Sequence, residues 1–489
     1  MSIDVEEVLK KYIVKKADKI EFKHNKALRF PILPFITKLN GKEIEKLDFG
    51  SFDGYIGHCY RQVLGKSLPE SLENEEYKHG LKKHVIASAS KQVRIEAGLE
   101  DKFAEIIEAL FFNGSELIKY SVEAQAYLYW RKKDSGLSNI ADFIHKIFID
   151  PAVAGLWRQK TGFPENILQQ LLNKSLPELA EQPHETPKPE DPNDPGYHVF
   201  NPGLVALFKQ DFEFLNRDKQ SFLQESDLLF KYYYFLYVVQ LANSLNHFFQ
   251  PHSPFQLYFT LESETVSENR QTIKTGWKLL EPRLINMMSH SVGLDMINRL
   301  ELGNPDGYDY QQLRELFAGY DQEQSALMTE QLQSMIDFYT RVVPVEKTTW
   351  EAFDAALKVK PAQYQNEPER LVLELFHRIE FQFDNSTRKA KRLSFANWFL
   401  AFCKKNFLKN RGRNGYSLNL TQEMLLFITK LCIGDQAKIR FNDLITAFNL
   451  RGIYFDEGTL EAIVEIYEKI NLIEKKSDSG DAQYIRRVL

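Results

Sequence analysis

The run from Tyr232 to Phe249 is the most apolar stretch of this 489-residue chain, and it leaves only two kinds of fold open. So apolar a segment must leave water, either for a bilayer or for a protein core. Gln240, Asn243, Asn246 and His247 interrupt it and Lys231 precedes it, so a bilayer span would bury several unpaired amides. A core helix can pair the same groups with neighbouring backbone, and a buried helix with no membrane span is therefore expected. With 43% apolar and 13% aromatic residues, the chain exceeds what one core organises and has material for three or four packed units.

The opening residues, MSIDVEEVLKKYIVKK, carry Asp4, Glu6 and Glu7 and no uninterrupted apolar segment. They do not resemble a secretory signal, so a cytoplasmic protein is expected. Cys59, Cys403 and Cys432 are odd in number, far apart and in no metal-ligand spacing, which suits a reducing compartment and implies neither structural zinc nor any other cofactor.

From Ser175 to Gly196, Pro177, Pro183, Pro187, Pro189, Pro192 and Pro195 alternate with Glu178, Glu181, Glu185, Glu190, Asp191 and Asp194. Proline withholds the donors of helix and sheet, and the acids repel one another, so residues 175–196 are expected to form an extended tether. An N-terminal helical domain, residues 1–174, precedes it. There Phe103, Ile106, Ile107, Leu110 and Phe111 recur at helical spacing, as do Ile140, Phe143, Ile144, Ile147 and Phe148. A central helical domain, residues 197–345, repeats the period in Leu228, Leu229, Tyr232, Phe235 and Leu236, and again in Leu332, Met335, Ile336 and Tyr339. A short strand-like run lies at Gln256 to Leu261. Strands and helices do not alternate regularly and no repeat of constant length occurs, so the predicted class is a mostly α, multi-domain helical protein.

Net charge is −5, which argues against a protein that coats nucleic acid over its whole surface. The charge is unevenly spread. Between Ser386 and Gln422 there is no Asp or Glu, while Arg388, Lys389, Lys391, Arg392, Lys404, Lys405, Lys409, Arg411 and Arg413 supply nine positive charges. The tract belongs to a helical segment, residues 346–416, in which Leu393, Ala396, Leu400, Cys403 and Phe407 form one stripe with Trp398 and Phe402 beside it. The cations then cluster at the two ends of a buried helix. Like-charge runs are commonly solvated faces. In this one Asn410, Gly412, Asn414 and Tyr416 interleave with Arg411 and Arg413, a flexible composition suited to following a phosphate backbone, so the nine cations are candidate DNA contacts.

Residues 417–489 parse as helix, short strand, helix, helix and hairpin, the order of a winged-helix module with a small β-hairpin wing. Asn419 and Gln422 are spaced to start the first helix, whose Leu425, Ile428, Leu431 and Cys432 face inward until Gly434 stops it. Lys438 to Arg440 is the short strand. Asn442 is the expected cap of the second helix, with Leu444, Ile445 and Phe448 inward and Gly452 as its stop. The third helix runs from Asp456 to Ile470 on Leu460, Ile463, Val464, Tyr467 and Ile470, and the strands Leu472 to Lys476 and Gln483 to Val488 flank the turn at Ser477 to Asp481. When a winged helix reads DNA, the outer face of its third helix meets phosphates, where acids are costly. That helix carries five acids and one lysine, with Glu461, Glu465 and Glu468 outside the apolar stripe. The module is expected either to bind a protein partner through these glutamates or to touch DNA only with the wing residues Lys475, Lys476, Arg486 and Arg487.

Catalytic machinery is hard to find. Gly65, Lys66 and Ser67 suggest a phosphate-binding loop, but Tyr60 stands where its first glycine belongs. Asp53, Glu76 and Lys78 have the spacing of a metal-dependent nuclease, yet Glu76 and Lys78 lie in a charged stretch without the apolar strand that would hold them. His58 and Cys59 are adjacent and point apart, so a buried structural pair is expected there. His79 and His84 miss the i, i+4 spacing of a zinc pair and are expected to be solvated.

The segment Lys475, Lys476, Ser477, Asp478, Ser479, Gly480, Asp481, Ala482, Gln483 and Tyr484, following Asn471, Leu472 and Ile473, resembles the end of the G-subunit family (DptG, also called DndG) of DNA phosphorothioation-dependent restriction systems. Tyr258, Phe259, Thr260 and Leu261, and Gly276 and Trp277 before Lys278, Leu279 and Leu280, are similar to the middle of that family, and the length fits. The resemblance implies bacterial defence, in which a G subunit works with F-type and H-type subunits to restrict DNA lacking the phosphorothioate. It also implies that nucleotide hydrolysis belongs to those partners, and it supplies no catalytic motif to transfer.

Overall fold

The computed structural model describes residues 4–16, 19–22, 28–34, 41–44, 47, 49–69, 72, 77–130, 135–159, 166–181, 196–300, 302–357, 361–475 and 483–488. Helices make up most of it, and the mostly α, multi-domain class is the class observed. In the first half, α1 (Val5–Tyr12) starts at Asp4, whose side chain accepts from Glu7 N at 3.1 Å. Next, α2 (Asp53–Leu64) packs on α3 (Ser135–Phe148), and α2 stops at Gly65 with φ +66. Asn201 caps α4 (Pro202–Leu215), which has proline in its first turn, where no backbone donor is lost.

The apolar run lies inside α5 (Lys219–His247), which is buried on all sides between Leu228 and Leu245. Its polar residues clamp neighbouring segments. Gln240 accepts from Phe255 N at 2.8 Å and donates to Phe255 O at 3.0 Å, Asn243 donates to Ser253 O at 3.2 Å, and Asn246 donates to Arg283 O at 3.1 Å. Pairing of this kind makes burial of the amides tolerable. Among the described residues no helix is long and apolar enough to cross a membrane.

After α5 come the two-residue strands β1 (Leu257–Tyr258) and β2 (Thr260–Leu261), then α6 (Gln271–Lys274), α7 (Trp277–Ile285), α8 (Met287–Asn298), α9 (Gln322–Val342), α10 (Glu367–Asp384) and α11 (Lys389–Asn406). The strand-like run was thus correctly placed. α10 packs on α8 and α9, and α1 lies across α9. Asp295 of α8, fully buried, accepts from Arg29 N at 2.5 Å, Phe30 N at 3.0 Å and Arg299 Nε at 2.9 Å, which fastens the N-terminal segment to the middle of the chain.

A hairpin, β3 (Leu408–Asn410) and β4 (Tyr416–Leu420), leads into α12 (Gln422–Ile433), β5 (Lys438–Arg440), α13 (Phe441–Leu450), β6 (Ile453–Tyr454), α14 (Glu457–Lys469), β7 (Ile473–Lys475) and β8 (Gln483–Arg486). Strands β5, β8 and β7 form an antiparallel sheet in that order. The expected helix, strand, helix, helix, strand, strand order is therefore present, and the turn at residues 476–482 lies outside the described residues.

Several expectations need correction. Thr421, not Asn419, caps α12, accepting from Met424 N at 3.1 Å, while Asn419 lies in β4. α13 starts at Phe441 after Arg440, without a side-chain cap, so Asn442 is not its cap. Residues 175–181 pack: Ser175 is buried, the Tyr127 hydroxyl donates to Pro177 O, and Ala180–Glu181 pairs antiparallel with Lys66–Ser67. They do not behave as a tether, and residues 182–195 lie outside the described residues. The packed units also share one buried cluster, running from Val5 to Ile485 through α5.

Candidate nucleic-acid interface

The basic tract folds as α11 and the β3–β4 hairpin. α11 turns Arg392, Phe395, Ala396, Trp398, Phe399, Phe402 and Cys403 inward. Its buried face is rotated from the expected stripe: Phe395 and Phe399 replace Leu393, which faces solvent, and Leu400, which is half-buried. The hairpin pairs Tyr416 with Asn410 and Ser417 with Lys409 around a tight turn, Gly412–Asn414, followed by Gly415 at φ +75. The loop expected to be flexible is thus an ordered turn.

The nine cations then divide by what they touch. Arg392, 4% exposed, sits 2.8 Å from Asp384 and 3.0 Å from Glu380, and it donates to Asn286 Oδ1 at 2.6 Å. Arg388 stacks on Phe383 at 4.4 Å and donates to Gln382 Oε1 at 3.0 Å, while Lys389 is 3.9 Å from Asp384. Glu346 lies against the same end, accepting from Thr387 N at 3.1 Å. Asp384 and Glu380 thus pair Lys389 and Arg392, while Lys391 is exposed with no carboxylate within ion-pair distance among the described residues, and the three nearby carboxylates lower the net charge of this end.

The other end differs. Arg411 is a structural clamp, donating to Ser417 Oγ, Glu264 O, Thr260 Oγ1, Leu261 O and Asn419 Oδ1 at 2.6–3.2 Å, and Lys409 donates to Glu262 O. Lys404, Lys405 and Arg413 are exposed and have no carboxylate within ion-pair distance among the described residues. Lys404 Nζ stands 5.6 Å above the Tyr416 ring. Exposed cations with no carboxylate partner are free to meet a phosphate, with an attraction that salt screens, whereas buried and paired ones are already engaged within the fold. The tract thus narrows from nine residues to Lys391, beside the carboxylates of one end, and the cluster of Lys404, Lys405 and Arg413 around the hairpin.

In the C-terminal segment the third helix, α14, is docked on its own chain. Asp456 caps α14, and Arg270 holds that cap through Nε to Oδ2 at 2.7 Å while Nη2 reaches Glu264 at 2.8 Å and Thr459 Oγ1 at 2.7 Å. Burial pushes the Asp456 carboxyl up, but the Arg270 bonds outweigh it and hold the group below its usual range. Just before α14, β6 pairs in parallel with β1, and Arg451 forms a buried pair with Asp211 at 2.5 Å and 3.0 Å. Gly452, at φ +77, allows this close approach, since a Cβ there would lie 2.8 Å from Leu236. The end of the helix that would enter a major groove is therefore occupied. Glu461, Glu465 and Glu468 remain on its outer, exposed face.

At the sheet of β5, β8 and β7, Arg486 and Arg487 are exposed, and Arg486 lies 3.5 Å from Glu474. The Lys475 side chain and Lys476 lie outside the described residues. The register sets Lys438 opposite Arg486 and brings Arg440 beside Tyr484, so two further cations join this sheet. They had been read only as strand residues, because the identity of the pairing strand was not written locally.

The excluded chemistries have structural explanations. Gly65 is a left-handed helix stop and Lys66 pairs with Glu181. Asp53 is held by Lys119 at 3.0 Å, while Glu76 and the Lys78 side chain lie outside the described residues. Half-buried His58 lies 2.6 Å from Asp142 and buried Cys59 donates to the neighbouring Ala141 O at 3.5 Å, so both side chains are held against α3. Burial raises all three cysteine thiols, that of Cys432 to about 12, which keeps them protonated and poorly nucleophilic. His79 and His84 are exposed. Compared with protein-family models and with curated proteins, the chain matches none.

Proposed function

We propose that this chain is a non-catalytic, DNA-contacting and assembly subunit of a cytoplasmic bacterial restriction complex of the phosphorothioation-dependent kind, working with nucleotide-hydrolysing F-type and H-type subunits. The observation that carries the DNA contact is the group of exposed, unpaired cations Lys404, Lys405 and Arg413 around the β3–β4 hairpin. The restriction context rests on the sequence resemblance. Fluorescence anisotropy of the complete chain with a labelled duplex tests the contact. The variant Lys404→Glu, Lys405→Glu, Arg413→Glu should bind at least tenfold more weakly and lower the salt slope by about 3, one unit per lost phosphate contact. An unchanged affinity and slope would refute the assignment.

A scaffold without DNA affinity is the second reading, favoured by the exposed acidic face of α14 at Glu461 and Glu465. Failure of the wild-type chain to bind duplex at low salt would select it. Cleavage by purified protein with magnesium or manganese, lost in Glu76→Ala, would instead favour a nuclease.

A further inference from the structure

We infer that the hairpin cations are one part of a composite surface for double-stranded nucleic acid, completed by Lys274 of α6 and Lys278 of α7. This inference rests on the DNA-contacting reading above. Arg392, in the first turn of α11, bonds Asn286 just after the end of α7, so the two packed helices run antiparallel. The start of α7 thus lies beside the last turns of α11, where Lys404 and Lys405 stand, and α6 and α7 both pack against β4. Lys274 and Lys278 are exposed and have no carboxylate partner among the described residues. More than a hundred residues separate them from the tract, which is why no scan of local charge could join the two.

Charge bookkeeping identifies this end of α11 as the docking end. At the opposite end Glu346, Glu380 and Asp384 lower the net charge of the arginines and lysines. Near the hairpin, Glu264 and Asp456 are taken up by Arg270, leaving Glu262, Glu268 and Glu457 exposed and Glu281 of α7 half-buried against the five exposed cations Lys274, Lys278, Lys404, Lys405 and Arg413.

The form of the ligand follows from the rings. Binding of single strands depends on exposed aromatic platforms for the bases. Tyr416 is covered by Lys404, and the exposed large apolar side chains among the described residues are aliphatic, with no Phe, Tyr or Trp. Contacts of cations to the phosphates of a rigid duplex need no such platform.

The test measures anisotropy across a salt series for the complete chain with a labelled 25-base-pair duplex and its single strand, on the order of two helical turns. Three proteins are compared: wild type, Lys274→Glu/Lys278→Glu, and Lys389→Glu/Lys391→Glu. Wild type is expected to prefer duplex. The α6–α7 variant should lose about two units of salt slope and at least fivefold in affinity, and the control variant should stay within about half a unit of wild type. All the substituted residues are exposed, and circular dichroism would confirm that each variant is folded. Duplex binding that is insensitive to Lys274 and Lys278, a control variant that loses as much, or a preference for single strand would overturn this inference while leaving DNA contact standing. Absence of wild-type binding would overturn both.

Discussion

Arg411 and Arg413 stand two positions apart in one turn, carry the same charge and do different work. Arg411 places its guanidinium among five acceptors drawn from two strands, β2 and β4, and the turn after β2, whereas Arg413 is exposed. Removing Arg411 strands partly buried acceptors, so Arg411→Ala should cost about 2–3 kcal/mol of stability. Arg413→Ala should cost less than about 0.5 kcal/mol, because it leaves no buried group unpaired. Urea unfolding followed by circular dichroism separates the two, and equal losses would contradict the clamp. The sequence could not make this distinction. The acceptors of Arg411 include the Glu264 and Leu261 carbonyls, nearly 150 positions away. Arg392 presented the same difficulty: it was read as a candidate contact, and α10 supplies the carboxylates that bury it.

At the level of elements, the α2–α3 contact links folding to pH. His145 on α3 is pushed down to about 4 by burial, with His58 and Lys146 adding to the effect and Asp142 opposing it. The folded protein then keeps this imidazole neutral where the unfolded chain, with its ordinary value near 6.5, takes up a proton. Stability from this group is full above about pH 6.5 and falls as pH drops toward 4, by about 2 kcal/mol between pH 7.5 and 5. Buried His290 shifts in the same direction. Urea titrations at the two pH values should show the loss, and His145→Asn should shrink it; an unchanged difference in the variant would remove His145 from the explanation. Which elements could be foreseen follows from how each is made. α5 and α14 declare themselves through apolar period and length, and Gly434 and Gly452, both at positive φ, mark the stops of α12 and α13. β6 does not, because two residues after a glycine read as loop until β1 lies beside them. The α11 face was rotated because a buried arginine cannot be told from an exposed one by residue type.

For the molecule as a whole, the C-terminal module is stitched in rather than appended. The Arg451 pair with Asp211, the Tyr232 hydroxyl bonded to Arg451 O, and β6 on β1 all join it to the central helices. A fragment of residues 417–489 would expose these surfaces and leave Arg451 without its carboxylate. The fragment would also lose the apolar cover that α5 gives it, and a core of this size supplies no more than about 3–5 kcal/mol to begin with. The fragment should therefore lack a cooperative thermal transition by circular dichroism; a sharp, reversible melt with full helix content would show the module to be autonomous. The same stitching bears on synthesis at the ribosome. Strands β1 and β2 emerge with their edges bare, and their partners β6 and β4 follow roughly 160 to 200 residues later. At translation rates of about 5–20 residues per second, that is a wait of about 10–40 s with open strand edges beside the apolar α5. A nascent chain in that interval is a client for chaperones, and its yield in cells should depend on them more than the stability of the finished fold would suggest.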